Sequence, residues 1–163
     1  MLRKLYSLLT LTLFLALSLA TAAQTSARYD GQDQPNSKVE LKSNLIEAVR
    51  AGDFTSISIL LDQGANVDSS DENGYTALMY AAKNGDQRTV RLLLSHNADL
   101  NKQNQDGDTA LMLASKNGQL HTVLNLISHG AQRGLKNNSG KTAEDLAYAY
   151  GHHKIAQLLK SQV

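Results

Sequence analysis

The chain contains no Cys, no Trp and a single Pro among its 163 residues. Without Cys it can form no disulfide, no thiol nucleophile and no Cys-ligated metal site. Aromatic residues make up only 5% of the chain, so a core must be filled by small and aliphatic side chains. This composition favours thin, repetitive helical packing over a large sandwich or barrel.

A strong excess of either charge is also missing. The 16 Lys and Arg face 15 Asp and Glu, and without Arg3 and Lys4 the balance becomes 14 against 15. Such a balance provides no basic field that would attract nucleic acid or anionic lipid. We therefore expect neither nucleic acid nor a membrane surface as a partner of the mature protein.

Residues 1–23 have the composition of an export signal. They begin with Arg3 and Lys4, continue with an uncharged Leu-rich run and end on small residues. This order is typical of a cleaved signal peptide, and an uncleaved anchor is the alternative. The sequence predicts a mature chain that starts at Ala23 or Gln24 in the periplasm, with secretion as the alternative location.

The rest of the chain divides into a polar leader and a repeat region. Residues 24–40 are polar, aperiodic and contain Pro35, so we expect a flexible leader that cannot bury enough apolar surface to order itself. Residues 41–163 carry a 33-residue period, which predicts four stacked repeats at about 41–70, 71–103, 104–136 and 137–163. The matching columns are Gly52, Gly85, Gly118 and Gly151; Ala48, Ala81, Ala114 and Ala147; Leu60, Leu93, Leu126 and Leu159; Gly74, Gly107 and Gly140; and Thr76, Thr109 and Thr142.

Each column has a role in local structure. The three Thr residues stand where a helix N-cap belongs. The Gly of the first column ends that helix in the left-handed conformation. A second helix follows, from about Asp86 to Ser95 in the second unit, and ends at Asn97, the next best residue for a left-handed cap. The prediction is an all-α solenoid of four stacked helix-turn-helix units joined by short turn tips.

The second unit, GYTALMYAAKNGDQRTVRLLLSHNADLN, resembles the ankyrin-repeat pattern GxTPLHxAAxxGxxxxVxxLLxxGADxN, and the third unit is similar. Two departures recur in every unit. The family's Pro is replaced by Ala77, Ala110 and Ala143, and its His by Met79, Met112 and Asp145. We expect the two Met to substitute adaptable apolar packing for the missing His network.

The resemblance implies a protein-binding surface on the concave face, built from the turn tips and first helices. By this resemblance the contact residues are Glu72, Asn73, Tyr75, Lys83 and Asn84; Gln105, Asp106, Asp108, Lys116 and Asn117; and Asn138, Ser139, Lys141, Ala149 and Tyr150. Tyr75 and Tyr150 are the candidate hot spots. Tyr80 and Tyr148 are predicted to be buried between repeats.

Candidates for catalysis are few. His96 and His129 share a column but are expected roughly 10 Å apart, too far to share a metal easily. His152 falls where the family often has His, which favours a structural role. No phosphate loop, nucleophile elbow or zinc motif is present. The sequence therefore predicts no enzyme, no cofactor and no metal site, and a metal-binding or hydrolytic protein remains the alternative from another class.

The function predicted from the sequence is that of an exported, monomeric module that binds a partner protein. Two narrower roles compete. The protein could be an immunity or inhibitor protein against a toxin in the same compartment. It could also be an accessory factor for an exported oxidative-stress enzyme, as similar periplasmic ankyrin proteins suggest. Fold and function are separable, so the repeats alone do not identify the partner.

Overall fold

A computed structural model describes residues 45–160 of the chain. The predicted signal peptide (1–23), the predicted leader (24–40) and the first residues of the first repeat lie outside the described residues. The predictions made for them are not tested by the fold.

Eight helices occur in residues 45–160, arranged as four successive pairs. They are α1 (45–51), α2 (Phe54–Asp62), α3 (Ala77–Asn84), α4 (Gln87–Ser95), α5 (Ala110–Lys116), α6 (Leu120–Ser128), α7 (Ala143–Ala149) and α8 (His153–Lys160). The same residues contain no strand beyond one isolated bridge between Ser70 and Thr76. The predicted all-α repeat solenoid is confirmed.

The predicted Thr caps begin the first helix of each of the last three pairs. The hydroxyl of Thr76 accepts from the backbone N–H of Met79, and Thr109 does the same for Met112. Thr142 and Asp145 form a reciprocal pair, because the Thr142 N–H also donates to the Asp145 carboxylate at 2.9 Å. Each Thr thus satisfies one of the free N–H groups at its helix start.

The two Met that replace the family's His are fully packed, and they do more than fill space. Met79 and Met112 are each 1% exposed. The Sδ of each lies 3.5 Å from the backbone N of its Thr cap and accepts from that N–H. Sulfur is a weak acceptor, but it gives a buried donor a partner. The predicted apolar packing is confirmed, and the sulfur contact adds to it.

The ends of the paired helices also follow the prediction. Gly85 follows α3 with φ 74°, a conformation that glycine adopts without strain. Asn97 follows α4 with φ 60° and is the one non-glycine residue with positive φ in the described part of the chain. Gly85 and Asn97 therefore end α3 and α4 as the sequence predicts.

A continuous core of aliphatic and small side chains runs through the stack. Ala81, Ala114 and Ala147 are no more than 1% exposed and lie between neighbouring first helices. Leu93 and Leu126, on the inner sides of the second helices, are completely buried. The small Ala side chains let α3, α5 and α7 pack closely, whereas the second helices touch one another at few points. The stack therefore curves towards its first helices.

The prediction that Tyr148 is buried between repeats is wrong, because Tyr148 is 69% exposed. Its counterparts one and two repeats earlier, Ser115 and Ala82, are completely buried by the repeat that follows each of them. No described repeat follows the fourth, so this position faces outwards. The Tyr148 ring packs edge-on against the His153 ring, with centroids 5.5 Å apart.

Candidate functional site

The candidate site is the concave face, formed by the exposed sides of α1, α3, α5 and α7 together with three fingers that project beside them. We define the fingers as the loops 71–75, 104–108 and 137–141. Each finger is closed by two backbone hydrogen bonds. In the second finger, the N–H of Gly107 donates to the carbonyl of Asn104, and the N–H of Asn104 donates to the carbonyl of Asp108.

An Asx side chain at the start of each finger fixes the loop from inside. The Oδ1 of Asp71 accepts from the N–H groups of Asn73 and Tyr75, both at 2.9 Å. Asn104 and Asn137 repeat this arrangement in their own fingers. This column of Asx residues at 33-residue spacing was missed from the sequence, although an Asx turn is a recognisable local signal.

Neighbouring fingers are hydrogen-bonded to one another. The N–H of Gln105 donates to the carbonyl of Asn73 at 3.0 Å, and the N–H of Asn138 donates to that of Asp106 at 2.9 Å. Side chains repeat the link: Gln105 Nε2 donates to the carbonyl of Glu72, and Asn138 Nδ2 to that of Gln105. The fingers therefore form one connected edge of the concave face.

Asp108 is 6% exposed and accepts a 2.7 Å hydrogen bond from Asn137 Nδ2. It holds two fingers together and offers a partner little surface, so it is not a contact residue of the kind that the resemblance implied. The remaining predicted contact residues lie along the concave face. Those that are exposed are Glu72, Asn73, Lys83, Asn84, Gln105, Asp106, Asn117, Asn138, Ser139, Lys141, Ala149 and Tyr150; Tyr75 and Lys116 are partly buried.

Two tyrosines pack against each other at one end of the concave face. The rings of Tyr75 and Tyr80 have centroids 5.1 Å apart, and the guanidinium of Arg50 lies 5.8 Å from the Tyr80 centroid. The Tyr80 hydroxyl donates to Asp71 Oδ2 at 2.7 Å. Tyr80 was predicted to be buried between repeats; it is only partly buried, and its ring belongs to this surface cluster.

Asp71 has a lowered pKa in this cluster. Burial raises the pKa of its carboxyl group, but hydrogen bonds from the Tyr80 hydroxyl and from the backbone of Tyr75 and Asn73 lower it by more. Burial and the neighbouring Asp71 raise the pKa of Tyr80. Because the Asp71 carboxylate is favoured in the folded chain, it stabilises the fold above the pKa of the unfolded chain. That contribution is lost as the pH falls through the folded-state pKa.

Replacing Tyr80 by Phe is expected to lower the free energy of unfolding by about 1 kcal/mol at neutral pH, since a hydrogen bond to a partly exposed carboxylate is lost. Tyr75→Phe is the matched control, because the Tyr75 hydroxyl makes no hydrogen bond to another described residue; it should cost roughly 0.5 kcal/mol or less. Urea denaturation at neutral pH and at about pH 3 measures both. The Tyr80→Phe cost should shrink at the lower pH, and a pH-independent cost would contradict the role given to Asp71.

The other end of the concave face carries a pocket of about 340 Å³ that is lined by charged and aromatic side chains. Lys116 and Lys141 line it together with Tyr150, and Leu146 lies at its base. The Lys116 ammonium is 5.2 Å from the centroid of the Tyr150 ring, which is itself 54% exposed. Asp106 and Asp108 also line the pocket, so two carboxylates match its two Lys. The pocket thus offers charged groups of both signs and an aromatic face to a partner.

Comparison with protein families agrees with this geometry. The family model for ankyrin repeats, in three copies, matches residues 23–104 and 97–162. The chain belongs to the ankyrin-repeat family. The first match begins within the segment predicted as signal peptide and leader. A comparison with curated proteins finds no match.

The C-terminal ends of the first ankyrin helices are held by side chains from the following repeat. His152 Nε2 donates to the carbonyl of Lys116 at 3.2 Å, and Gln119 Nε2 donates to the carbonyl of Lys83 at 3.4 Å. The predicted structural role of His152 is confirmed. Gln119 is its counterpart one repeat earlier, and its role was not recognised from sequence. These contacts fix the backbone that carries Lys83 and Lys116.

His129 makes a local contact, unlike His152. His129 Nδ1 lies 2.8 Å from the carbonyl of Asn125 in its own helix. Within residues 45–160, no three His, Asp or Glu side chains lie close enough together to hold a metal ion. None of the helices in that range is long and apolar enough to span a membrane.

Proposed function

We propose that this protein is an exported, non-enzymatic binding module that recognises a partner protein through its concave face. Ankyrin repeats are generally protein–protein interaction modules, and proteins built from them are typically not enzymes. The observation that carries the proposal is that one set of groups on this face holds the fingers together while another set stays exposed to a partner. Backbone groups and the side chains of Asp108 and Asn137 hold the fingers together, while Lys83, Asn84 and Tyr150 stay exposed.

The connected fingers also favour binding on energetic grounds. Binding is weakened by the entropy lost when loops and side chains become ordered in a complex. Here the finger backbones are already ordered by bonds within and between loops. A partner would therefore meet a preformed surface, and only the exposed side chains would need to adopt one conformation.

Tyr150 and Lys116 are the proposed centre of the interface. Hot spots are enriched in aromatic residues that are surrounded by contacts excluding water. Tyr150 exposes more than half of its surface beside a pocket that contains two Lys. A partner side chain that enters this pocket would cover the ring and lie close to both ammonium groups.

Export into the periplasm is part of the proposal and is supported by the sequence of residues 1–23. A basic start, a short Leu-rich run and small residues are the features of a signal peptide. The absence of Cys is compatible with an oxidising compartment, because no free thiol can be oxidised there.

The test uses the full chain with a C-terminal tag, produced in its source cells and captured from the envelope fraction after crosslinking. The intact mass of the captured protein should correspond to a start at Ala23 or Gln24. The variant Tyr150→Ala/Lys116→Glu is expected to reduce the amount of crosslinked partner at least about tenfold. It removes the aromatic ring of one proposed hot spot and reverses the charge of the other.

The control variant is Leu124→Ala/Arg91→Glu, which combines an apolar truncation and a charge reversal at exposed positions of second helices. It should retain the partner. Equal recovery with both variants would overturn the concave face as the binding site. If the tagged chain is found in the cytoplasm and its intact mass still includes residues 1–23, export is overturned.

A further inference from the structure

One column of the concave face is basic in three successive repeats. Arg50, Lys83 and Lys116 are each 33 residues apart, and each stands at or near the C-terminal end of a first helix. The equivalent residue of the fourth repeat is Ala149. We define Arg50, Lys83 and Lys116 as the basic row.

The members of the basic row differ in their anionic partners. Arg50 pairs with Glu47 at 3.6 Å, where both side chains are more than half exposed and such pairs contribute little, and its charge also helps to lower the pKa of Asp71. Among the described residues, no carboxylate lies within ion-pair distance of Lys83 or Lys116. A cation at a helix C-terminus is favoured by the helix dipole, which accounts for Lys83 and Lys116 individually. The dipole does not account for aromatic rings beside the row.

Aromatic rings flank the basic row at both ends. Tyr80 lies beside Arg50, with Tyr75 against it, and Tyr150 lies beside Lys116. Grooves lined by aromatic rings are the surfaces on which proline-rich segments dock in the polyproline II conformation. Because cations lie beside the rings, the segment that docks should also carry negative charge.

The spacing of the row fits the same conformation. Closely packed helices lie about 8–10 Å apart, so the three cations are separated by about that distance along the concave face. A polyproline II helix rises about 3.1 Å per residue with three residues per turn. Every third side chain therefore lies on one face at intervals of about 9 Å, which matches the helix spacing.

Glu72 and Asp106 at the finger tips restrict where a negatively charged segment can lie. Both are exposed on the finger side of the concave face, and like charges placed opposite each other disfavour a wrong arrangement. A carboxylate-bearing segment would be kept away from the fingers and against the first helices.

We propose that the concave face binds an acidic, proline-rich segment of its partner protein in the polyproline II conformation, with carboxylates at every third residue on the basic row. This inference rests on the proposed function and specifies the chemistry of the partner. The prolines between the carboxylates pack against Tyr75, Tyr80 and Tyr150.

The experiment measures binding of labelled peptides to the full chain by fluorescence anisotropy at low salt. The probe is an acetylated, amidated peptide of four Glu-Pro-Pro units. The first control has the same composition, with its four Glu consecutive, and the second has four Lys-Pro-Pro units. We expect the probe to bind at least about tenfold more tightly than either control, and to weaken about tenfold as salt screens the charges.

Three protein variants test the site. Arg50→Glu/Lys83→Glu/Lys116→Glu should lose the probe and gain the Lys-Pro-Pro peptide. Its matched control, Arg91→Glu/Lys154→Glu/Lys160→Glu, makes the same change in net charge on second helices and should bind like the unmodified chain. If the triple variant does not fold, the single variant Lys83→Gln replaces it. This change is at an exposed position and should weaken binding of the probe several-fold.

Equal binding of the clustered-Glu peptide, or an effect of the control variant as large as that of the basic-row variant, would overturn the proposal. Absence of all peptide binding would also overturn it. In that case, loss of the crosslinked partner with Tyr150→Ala/Lys116→Glu would still support the proposed function, so failures of the two proposals are distinguishable.

Discussion

Gly107→Ala is expected to lower the free energy of unfolding by about 2–4 kcal/mol, because it combines backbone strain with a clash that cannot relax cheaply. Gly107 has φ 77° in the second finger. A Cβ at this position would lie 2.7 Å from the backbone N of Asn138 and 3.0 Å from the Cα of Asn137. Moving that backbone would disturb the Asn138 N–H bond to Asp106, which joins the two fingers.

Gly140→Ala separates strain from contact. Gly140 occupies the same place in the third finger with φ 71°, and a Cβ there would meet nothing within 4 Å among the residues described. Only the strain of a left-handed Ala remains, partly offset by the reduced freedom of the unfolded chain, so a cost of about 1 kcal/mol is expected.

Urea denaturation of both variants, followed by circular dichroism, measures the difference. Equal costs at the two positions would show that the fingers do not pack against each other as closely as the structure places them. A larger cost at Gly107 would confirm that each finger rests on the next. It would also predict that Gly107→Ala weakens partner binding more than Gly140→Ala does.

Much of the ankyrin fold was predictable because its boundaries depend on local chemistry. Thr76 and Thr109 cap helices through their own hydroxyl groups. Asn97 tolerates a left-handed conformation that most side chains resist. Such signals act within a few residues, so a single sequence with a clear period displays them.

The roles of individual site residues were harder to predict, because they depend on which side chains form hydrogen bonds to a neighbouring repeat. The column of Glu72, Gln105 and Asn138 looked like one set of partner contacts. In the structure the amides of Gln105 and Asn138 donate to carbonyls of the preceding finger, which a carboxylate such as Glu72 cannot do. Sequence spacing locates this column on the fingers, but only geometry shows which members are engaged within the fold.

Tyr148 illustrates a second limit, which is the effect of position in the stack. The same column is buried at Ala82 and Ser115 and exposed at Tyr148. Burial in a solenoid is decided by the neighbouring repeat. A residue type suited to a core therefore becomes a surface residue where no described repeat covers it.

Met112→Ala is expected to lower the free energy of unfolding by about 2–4 kcal/mol, since it deletes a fully buried side chain at the centre of the stack. Met112 is 1% exposed, and its Sδ also accepts from the N–H of Thr109. Truncation would leave both a cavity and an N–H without its acceptor. The cavity removes apolar packing and the unpaired N–H removes a hydrogen bond, and a further variant can separate the two effects.

Met112→Leu keeps most of the volume, removes the sulfur and replaces a linear side chain by a branched one. If packing is the main role of Met112, this variant should cost about 1 kcal/mol, because volume-conserving exchanges are tolerated and sulfur is a weak acceptor. Leu124→Ala, at a site that is 44% exposed, should cost much less than Met112→Ala and serves as the surface control. Chemical denaturation of the three variants measures these costs.

A Met112→Leu cost as large as that of Met112→Ala would mean that the contact between Sδ and the Thr109 N–H stabilises the stack more than packing does. The Met would then replace the family's His through hydrogen bonding, and not chiefly through packing.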